Sequence, residues 1–407
     1  MVGLESLGAV GPAMRRDALW TALGLSALIL ALGYWLKARC LDHAWGGGFE
    51  FRNFCYNDLH PLYFINGYAD GGIPYVTVQS EYPVLTGGLA WVLALLFDSH
   101  AAWWHANAAL LFAAGLGVTW LLVQAGHDWR SAAPWVLAPS IVADGFTNWD
   151  LWAVFLMVAG LVAFERGRLF LAALLIGLGT AAKLFPAVAG LAMLLVVVNR
   201  GRAGQGWRRE VALLAGGFAL GWLPLNLAYA MLNPELWLRT YQFHAERGTS
   251  FQTLYYLFDQ YVVMPRLGYG LTVGQFNLAS LVATVGATAL IAGLALRRRT
   301  VQVHLLAAAF LAAYVVAGKF FSPQYTLWLL PLFVLAGLPR PLWWVFTAAH
   351  LASFVWAYHL RMPPPGALEG MSGEFLAPFN LASFVLMFSI VMVAVLAVDR
   401  LRAPDGH

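Results

Sequence analysis

Apolar residues in this chain come in runs of about 17 to 25, parted by short polar links, and the pattern recurs along its whole length. A run of about 20 residues is what an α-helix needs to cross ~30 Å of hydrocarbon. Lipid offers the backbone no hydrogen bonds, so only helices and closed barrels span a membrane. The period-two alternation of a barrel strand is missing, which leaves helices. Composition agrees: of 407 residues, 61% are hydrophobic and 11% charged, and mean hydropathy is +0.69. A soluble domain carries roughly 25% charged residues. The expected fold is all-α, one polytopic transmembrane domain over 1–407 with about 12 spans.

The formal net charge is +4, yet it does not point to nucleic acid. The basic residues sit in short clusters between apolar runs, at 166–168, 200–209, 297–299, 340 and 400–402, and read as cytoplasmic topology signals. Spans are then expected near 17–36, 103–125, 132–145, 149–165, 169–183, 185–199, 209–231, 273–296, 302–318, 325–338, 341–358 and 380–399. This places both termini in the cytoplasm of a multi-pass plasma-membrane protein. Arg15 and Arg16 precede the first run without a small-residue cleavage site, so that run is expected to stay as an anchor rather than act as a cleaved signal. Val84–Phe97 is short for a span, and counting it as one would set everything downstream against the arginine clusters. It is therefore expected not to cross. Residues 37–102 become one large extracytoplasmic loop with membrane-associated helices, joined on that side by 144–150, 233–272, 319–325 and 359–378.

The unusual polar residues gather on that side. Asp58, His60, Asp70 and Glu81 stand in the first loop. A carboxylate where a membrane helix meets water can act as a general base on an alcohol, although Asp58 would equally cap a helix and Asp70 fill a turn. Lys183 and Lys319 lie at the ends of apolar runs, where they would neutralise a lipid phosphate or snorkel to head groups. Asp150 near a helix start would also complement the helix dipole. His244 and Arg247 precede Thr249, Ser250 and the aromatic residues Phe251, Tyr255 and Tyr256. That composition suits a sugar or phosphate cleft, and suits an interfacial aromatic belt as well. Cys40 and Cys55, the two cysteines, form either a disulfide contributing ~3 kcal/mol or two unpaired thiols. Histidines show no metal-ligand spacing and no phosphate-cradling glycine loop is present, so no metal, cofactor or nucleotide sugar is expected.

The order and sidedness of Asp58-Leu59-His60, Glu81-Tyr82-Pro83, Asn148-Trp149-Asp150, Lys183-Leu184-Phe185-Pro186 and Ser322-Pro323-Gln324-Tyr325-Thr326-Leu327-Trp328 resemble the GT-C superfamily of membrane glycosyltransferases. The resemblance is nearest to the polyprenol-phosphate-mannose-dependent α-mannosyltransferases of actinobacterial phosphatidylinositol mannoside assembly. One departure is Pro83-Val84, where that family often has two prolines. The resemblance implies inverting transfer of a hexose, mannose first among the choices, from a polyprenyl-phosphate sugar to a hydroxyl of a lipid-linked or glycan acceptor. In it Asp58 is the catalytic base, and Lys183 and Lys319, with His359 or Arg361, face the departing phosphate. His60 and Glu81 position hydroxyls, while His244, Arg247, Gln324 and Tyr325 complete the substrate-binding set. The competing reading is a transporter or lipid flippase, which calls for polar residues near span centres and related halves. Polar residues here cluster at outer ends, and the chain shows no internal duplication.

Overall fold

A computed structural model describes residues 12–43, 45, 48–202, 206–298, 300–360 and 373–402, without the side chains of 12–15, 359, 360, 373–379 and 402. The chain folds into α1 (Pro12–Ala38), α2 (Phe49–Arg52), α3 (Leu59–Ile65), α4 (Val84–Leu96), α5 (His100–Gln124), α6 (Ala133–Val136), α7 (Pro139–Asp144), α8 (Asp150–Glu165), α9 (Leu169–Ala182) and α10 (Pro186–Arg202). There follow α11 (Trp207–Leu232), α12 (Pro234–Glu246), α13 (Leu254–Phe258), α14 (Met264–Leu267), α15 (Val273–Leu296), α16 (Val303–Ala317), α17 (Thr326–Leu335), α18 (Arg340–Leu360) and α19 (Gly373–Arg402). Among the described residues, five helical stretches suffice by length and composition to cross a membrane: Arg16–Ala38, His100–Gln124, Trp207–Leu232, Val273–Leu296 and Asn380–Leu401. The protein is an all-helical, multi-pass membrane protein.

One expected span takes another form. Residues 132–145 are not a single helix but α6 and α7, of four and six residues. Pro139 begins α7, and a proline both lacks the N–H of a continuing helix and disfavours helical geometry at the residue before it, Ala138, which is extended.

The bundle has two unlike ends. At one, arginines donate to carbonyls that helix C-termini leave over: Arg166 to Gln124 O at 3.1 Å, Arg202 to Leu296 O at 2.8 Å and Arg400 to Ala336 O at 3.0 Å. The basic clusters thus serve packing as well as charge distribution. The other end holds the first long loop, tied by a Cys40–Cys55 disulfide with a Cα separation of 6.2 Å. Here α4 begins beside α9, with Thr86 Oγ1 donating to Ala182 O at 2.8 Å. The chain enters α5 at His100, whose ring lies 4.5 Å from that of His60 in the same loop. Hence α4 starts and finishes at the loop end of the bundle.

Along the first half of α9, from the arginine end inward, two helices touch backbone to backbone. A Cβ on Gly177 would come within 2.5 Å of Phe218 O, on Gly217 within 2.3 Å of Phe170 O, and on Gly221 within 2.4 Å of Leu174 O. Glycine at these three places lets α9 and α11 approach with no side chain between them. The last turn of α9 leads directly into Lys183.

Candidate active site

The loop from Cys55 to Asp58 is pinned from three directions. Lys37, fully buried at the end of α1, donates to Tyr56 O at 2.9 Å, Phe54 O at 3.3 Å and Tyr358 Oη at 3.0 Å. Asn57 accepts from the His60 backbone N–H at 3.0 Å and from Trp104 Nε1 at 3.1 Å. The Asp58 N–H donates to Thr147 O at 2.6 Å. Asp58 precedes α3, yet its carboxylate makes no capping bond. Asn57 takes that duty and leaves the Asp58 side chain for the cavity.

Tyr82 Oη donates to Asp58 Oδ2 at 3.0 Å. Among the described residues no hydrogen bond reaches Oδ1. Burial, then the Asp58 charge, pushes the Tyr82 phenol well above its ordinary pKa, so it remains a donor. Tyr82 is itself held, since Tyr75 Oη donates to Tyr82 O at 2.6 Å and Pro83 O at 3.0 Å. Tyr75 adopts a left-handed φ of 64°, unusual for a residue with a side chain.

A cavity of about 1320 Å³ opens over this loop. Asp58, Glu81, Lys183, His244, Arg247, Lys319, Gln324 and Tyr325 all line it. Eight residues singled out from the sequence are therefore brought together from the first loop, α9, α12 and the turn before α17. Burial, and after it the Asp58 charge, raises the Glu81 carboxyl to about 6, against the pull of Arg247 and Lys183. His244 Nε2 donates to Glu81 O at 3.0 Å, so the ring fixes the backbone that presents this acid.

The three cations differ in what they have left to offer. Lys183 is ion-paired with Asp150, whose other oxygen accepts from Trp328 Nε1 at 2.8 Å. Tyr82, Tyr325 and Trp328 surround its ammonium at 5.3–5.5 Å from their ring centres. Lys319 donates to Ala245 O at 2.9 Å and to Arg247 O, closing the turn after α12. Arg247 stacks its guanidinium 4.0 Å above the Phe320 ring, and among the described residues it makes no hydrogen bond or ion pair through that group. Of the three, it is the one whose donors stay open to the cavity.

His60 is placed elsewhere. Pro61, Leu62 and Ile65 share the cavity face of α3 with Asp58, while His60 is stacked on Trp45 at 4.0 Å and packed against Phe64 and His100. Two residues along a helix is about 200° of rotation, enough to turn a side chain to the opposite face. Burial, then His100, lowers its pKa to about 4, and the ring stays neutral. The His359 side chain and Arg361 lie outside the described residues. Sequence reading passed over Tyr82 as the donor to Asp58, and Trp328 as the donor to Asp150. Both stand inside the quoted motifs and differ from their neighbours in carrying a polar atom on an aromatic body.

The family model of glycosyltransferase family 87 matches residues 81–323, more than half of the chain. The chain belongs to glycosyltransferase family 87. The family 87 segment begins at Glu81 and takes in Lys183, His244, Arg247 and Lys319, whereas Asp58, Gln324 and Tyr325 fall outside it. Comparison with curated proteins found no match. Among solved structures, the chain is similar to the crystal structure of ArnT from Cupriavidus metallidurans bound to undecaprenyl phosphate, with a TM-score of 0.46 and 14% identity over 94% of this chain and 78% of that one. It is also similar to the apo state of the same ArnT, with a TM-score of 0.45 and 16% identity over 93% and 78%. This family 87 member is thus a multi-pass membrane glycosyltransferase.

Proposed function

We propose that the protein transfers a hexose, mannose in the first instance, from a polyprenyl-phosphate sugar to a hydroxyl of a lipid-linked or glycan acceptor at the extracytoplasmic membrane face. The observation that carries this reading is the meeting, in one cavity, of a carboxylate with an open oxygen and a guanidinium with open donors: Asp58 and Arg247. Asp58 takes the acceptor proton as the acceptor oxygen bonds to the anomeric carbon, and the bond from that carbon to the phosphate oxygen breaks with inversion. Polyprenyl phosphate leaves with the bonding pair. It is already stable as an anion, so a strong general acid is unnecessary, and fixed positive charge beside it is what lowers the barrier. Arg247 supplies that charge. Glu81, His244, Gln324 and Tyr325 orient hydroxyls around the reacting carbon, and lipid holds the prenyl tail.

The test is to incubate membranes bearing the protein with a panel of radiolabelled polyprenyl-phosphate sugars and identify the donor consumed. Consumption of the mannosyl donor by the native chain, and none by Asp58→Asn, is the expected result. An Asp58→Asn variant of undiminished activity removes Asp58 from the mechanism, and consumption of a different donor alone replaces the sugar.

A further inference from the structure

Below the cavity floor runs a buried polar chain that this reaction does not use directly. Ser140 Oγ lies 2.9 Å from His350 Nδ1, and His350 Nε2 lies 2.8 Å from Asp144 Oδ2. Thr147 Oγ1 donates to Asp144 Oδ1 at 3.3 Å, and the Thr147 N–H donates to Asp144 O at 3.0 Å. The Thr147 carbonyl is the group that accepts from the Asp58 N–H. Ser140 and His350 are fully buried, and Asp144 is 2% and Thr147 5% exposed.

Taking Asp58 as the base, and so resting on that reading, we propose that His350 is a positioning residue for Asp58, acting through Asp144 and Thr147. Three features of the geometry support it. Asp144 borders the cavity, and each of its oxygens accepts a bond, Oδ2 with the His350 ring and Oδ1 from Thr147 Oγ1, so its carboxylate is held in place from two sides. A carboxylate takes a hydrogen only from an N–H or O–H. His350 therefore donates from Nε2 to Asp144, and the Ser140 hydroxyl is the partner of its Nδ1, so both ring nitrogens are held. Finally, Ser140 and Asp144 both belong to the six-residue α7, too short to hold its own orientation. The ring reaches it from α18, a helix of 21 residues, and so ties the Asp144–Thr147 shelf to the body of the bundle. Charge-assisted bonds in a buried setting suit that task, because they are directional and strong.

The experiment compares His350→Leu, His350→Gln, Thr147→Val and Asp58→Asn in native membranes, using radiolabelled polyprenyl-phosphate mannose as donor and the membrane's own acceptors. His350→Leu removes the donor to Asp144, and Thr147→Val removes one hydroxyl at nearly constant volume. Each is expected to lower kcat by on the order of 10²-fold, with the donor KM held within about twofold, because misplacement of the base by about 1 Å costs rate and not binding. His350→Gln places an amide N–H near the old Nε2 and is expected to restore kcat to within about threefold of the native value. Native kcat in both His350→Leu and Thr147→Val, with Asp58→Asn inert, overturns the positioning role while leaving the base in place. Parallel losses in kcat and KM with no rescue by His350→Gln mark a general loss of structure and overturn it equally. Should Asp58→Asn stay active, the base assignment falls first and the positioning role with it.

Discussion

Replacing Lys183 with alanine separates two roles that the bare sequence leaves equivalent. If the ammonium faced the donor phosphate, its loss would raise the donor KM and leave stability alone. In the structure it faces Asp150, whose side chain is 1% exposed against 16% for Lys183. Lys183→Ala would leave that carboxylate buried with only the Trp328 N–H at 2.8 Å for a partner. Breaking one side of such a pair costs about 3–5 kcal/mol, because desolvation of the remaining charge is no longer offset. With an unfolding entropy of about 2.1 cal/mol/K per residue, 407 residues give about 0.85 kcal/mol/K, so the loss corresponds to a fall in Tm of about 4–6 °C. The assay is thermal loss of the monodisperse peak in size-exclusion chromatography, in one detergent throughout. Lys183→Met combined with Asp150→Leu removes both charges at similar volume and should melt within about 2 °C of the native chain. A Lys183→Ala variant that melts with the native protein refutes the reasoning. So does a double variant that falls as far as the single one.

Arg247→Ala should lower kcat/KM for the donor by about 10- to 100-fold, the worth of one to two charge-assisted hydrogen bonds, while Tm moves little; an unchanged kcat/KM takes the phosphate away from Arg247. Reduction of Cys40–Cys55, or its replacement by two serines, should lower Tm by about 3–4 °C, given ~3 kcal/mol for a loop of this size, and no change on reduction would contradict it. Glu81 gives a pH signature. Its carboxyl is raised to about 6 by burial and then by Asp58, so between its ordinary value and 6 the folded chain binds the proton that the unfolded chain has released. Stability should therefore fall as pH rises through that window in the native protein relative to Glu81→Gln, and parallel melting curves across it would exclude the shift.

Long apolar runs such as 273–296 were readable because hydrocarbon admits one local solution for the backbone. The shortness of α4, 13 residues, was readable in the sequence, and in the structure it begins beside the end of α9 and runs into the start of α5 next to the first loop. The break between α6 and α7 was not, since hydropathy averages over Pro139 while backbone geometry does not. In the site, Asp58, Glu81 and Arg247 could be picked out as chemistry standing in otherwise plain loops. His60 could not be separated from Asp58 without the phase of α3. Pairings such as Lys183 with Asp150, 33 residues apart, and His350 with Asp144, 206 apart, leave no trace in local spacing. Without those pairings, Lys183 reads as a free cation and Asp144 as one more loop acid.

The glycine seam between α9 and α11 also decides how the cavity can breathe. Where main chains are already in contact there are no soft side chains to compress, so the helix that carries Lys183 at its end is anchored along its first half. On another side of the cavity are Ser280 and Thr284 of α15, while Leu278, Leu281 and Val282 on the same helix are more than 60% exposed. Among the described residues, little packs on the outer face of that helix. Under the proposed reaction, a head group that needed more room would meet least resistance at α15, and the thickness and fluidity of the surrounding bilayer would then bear on turnover.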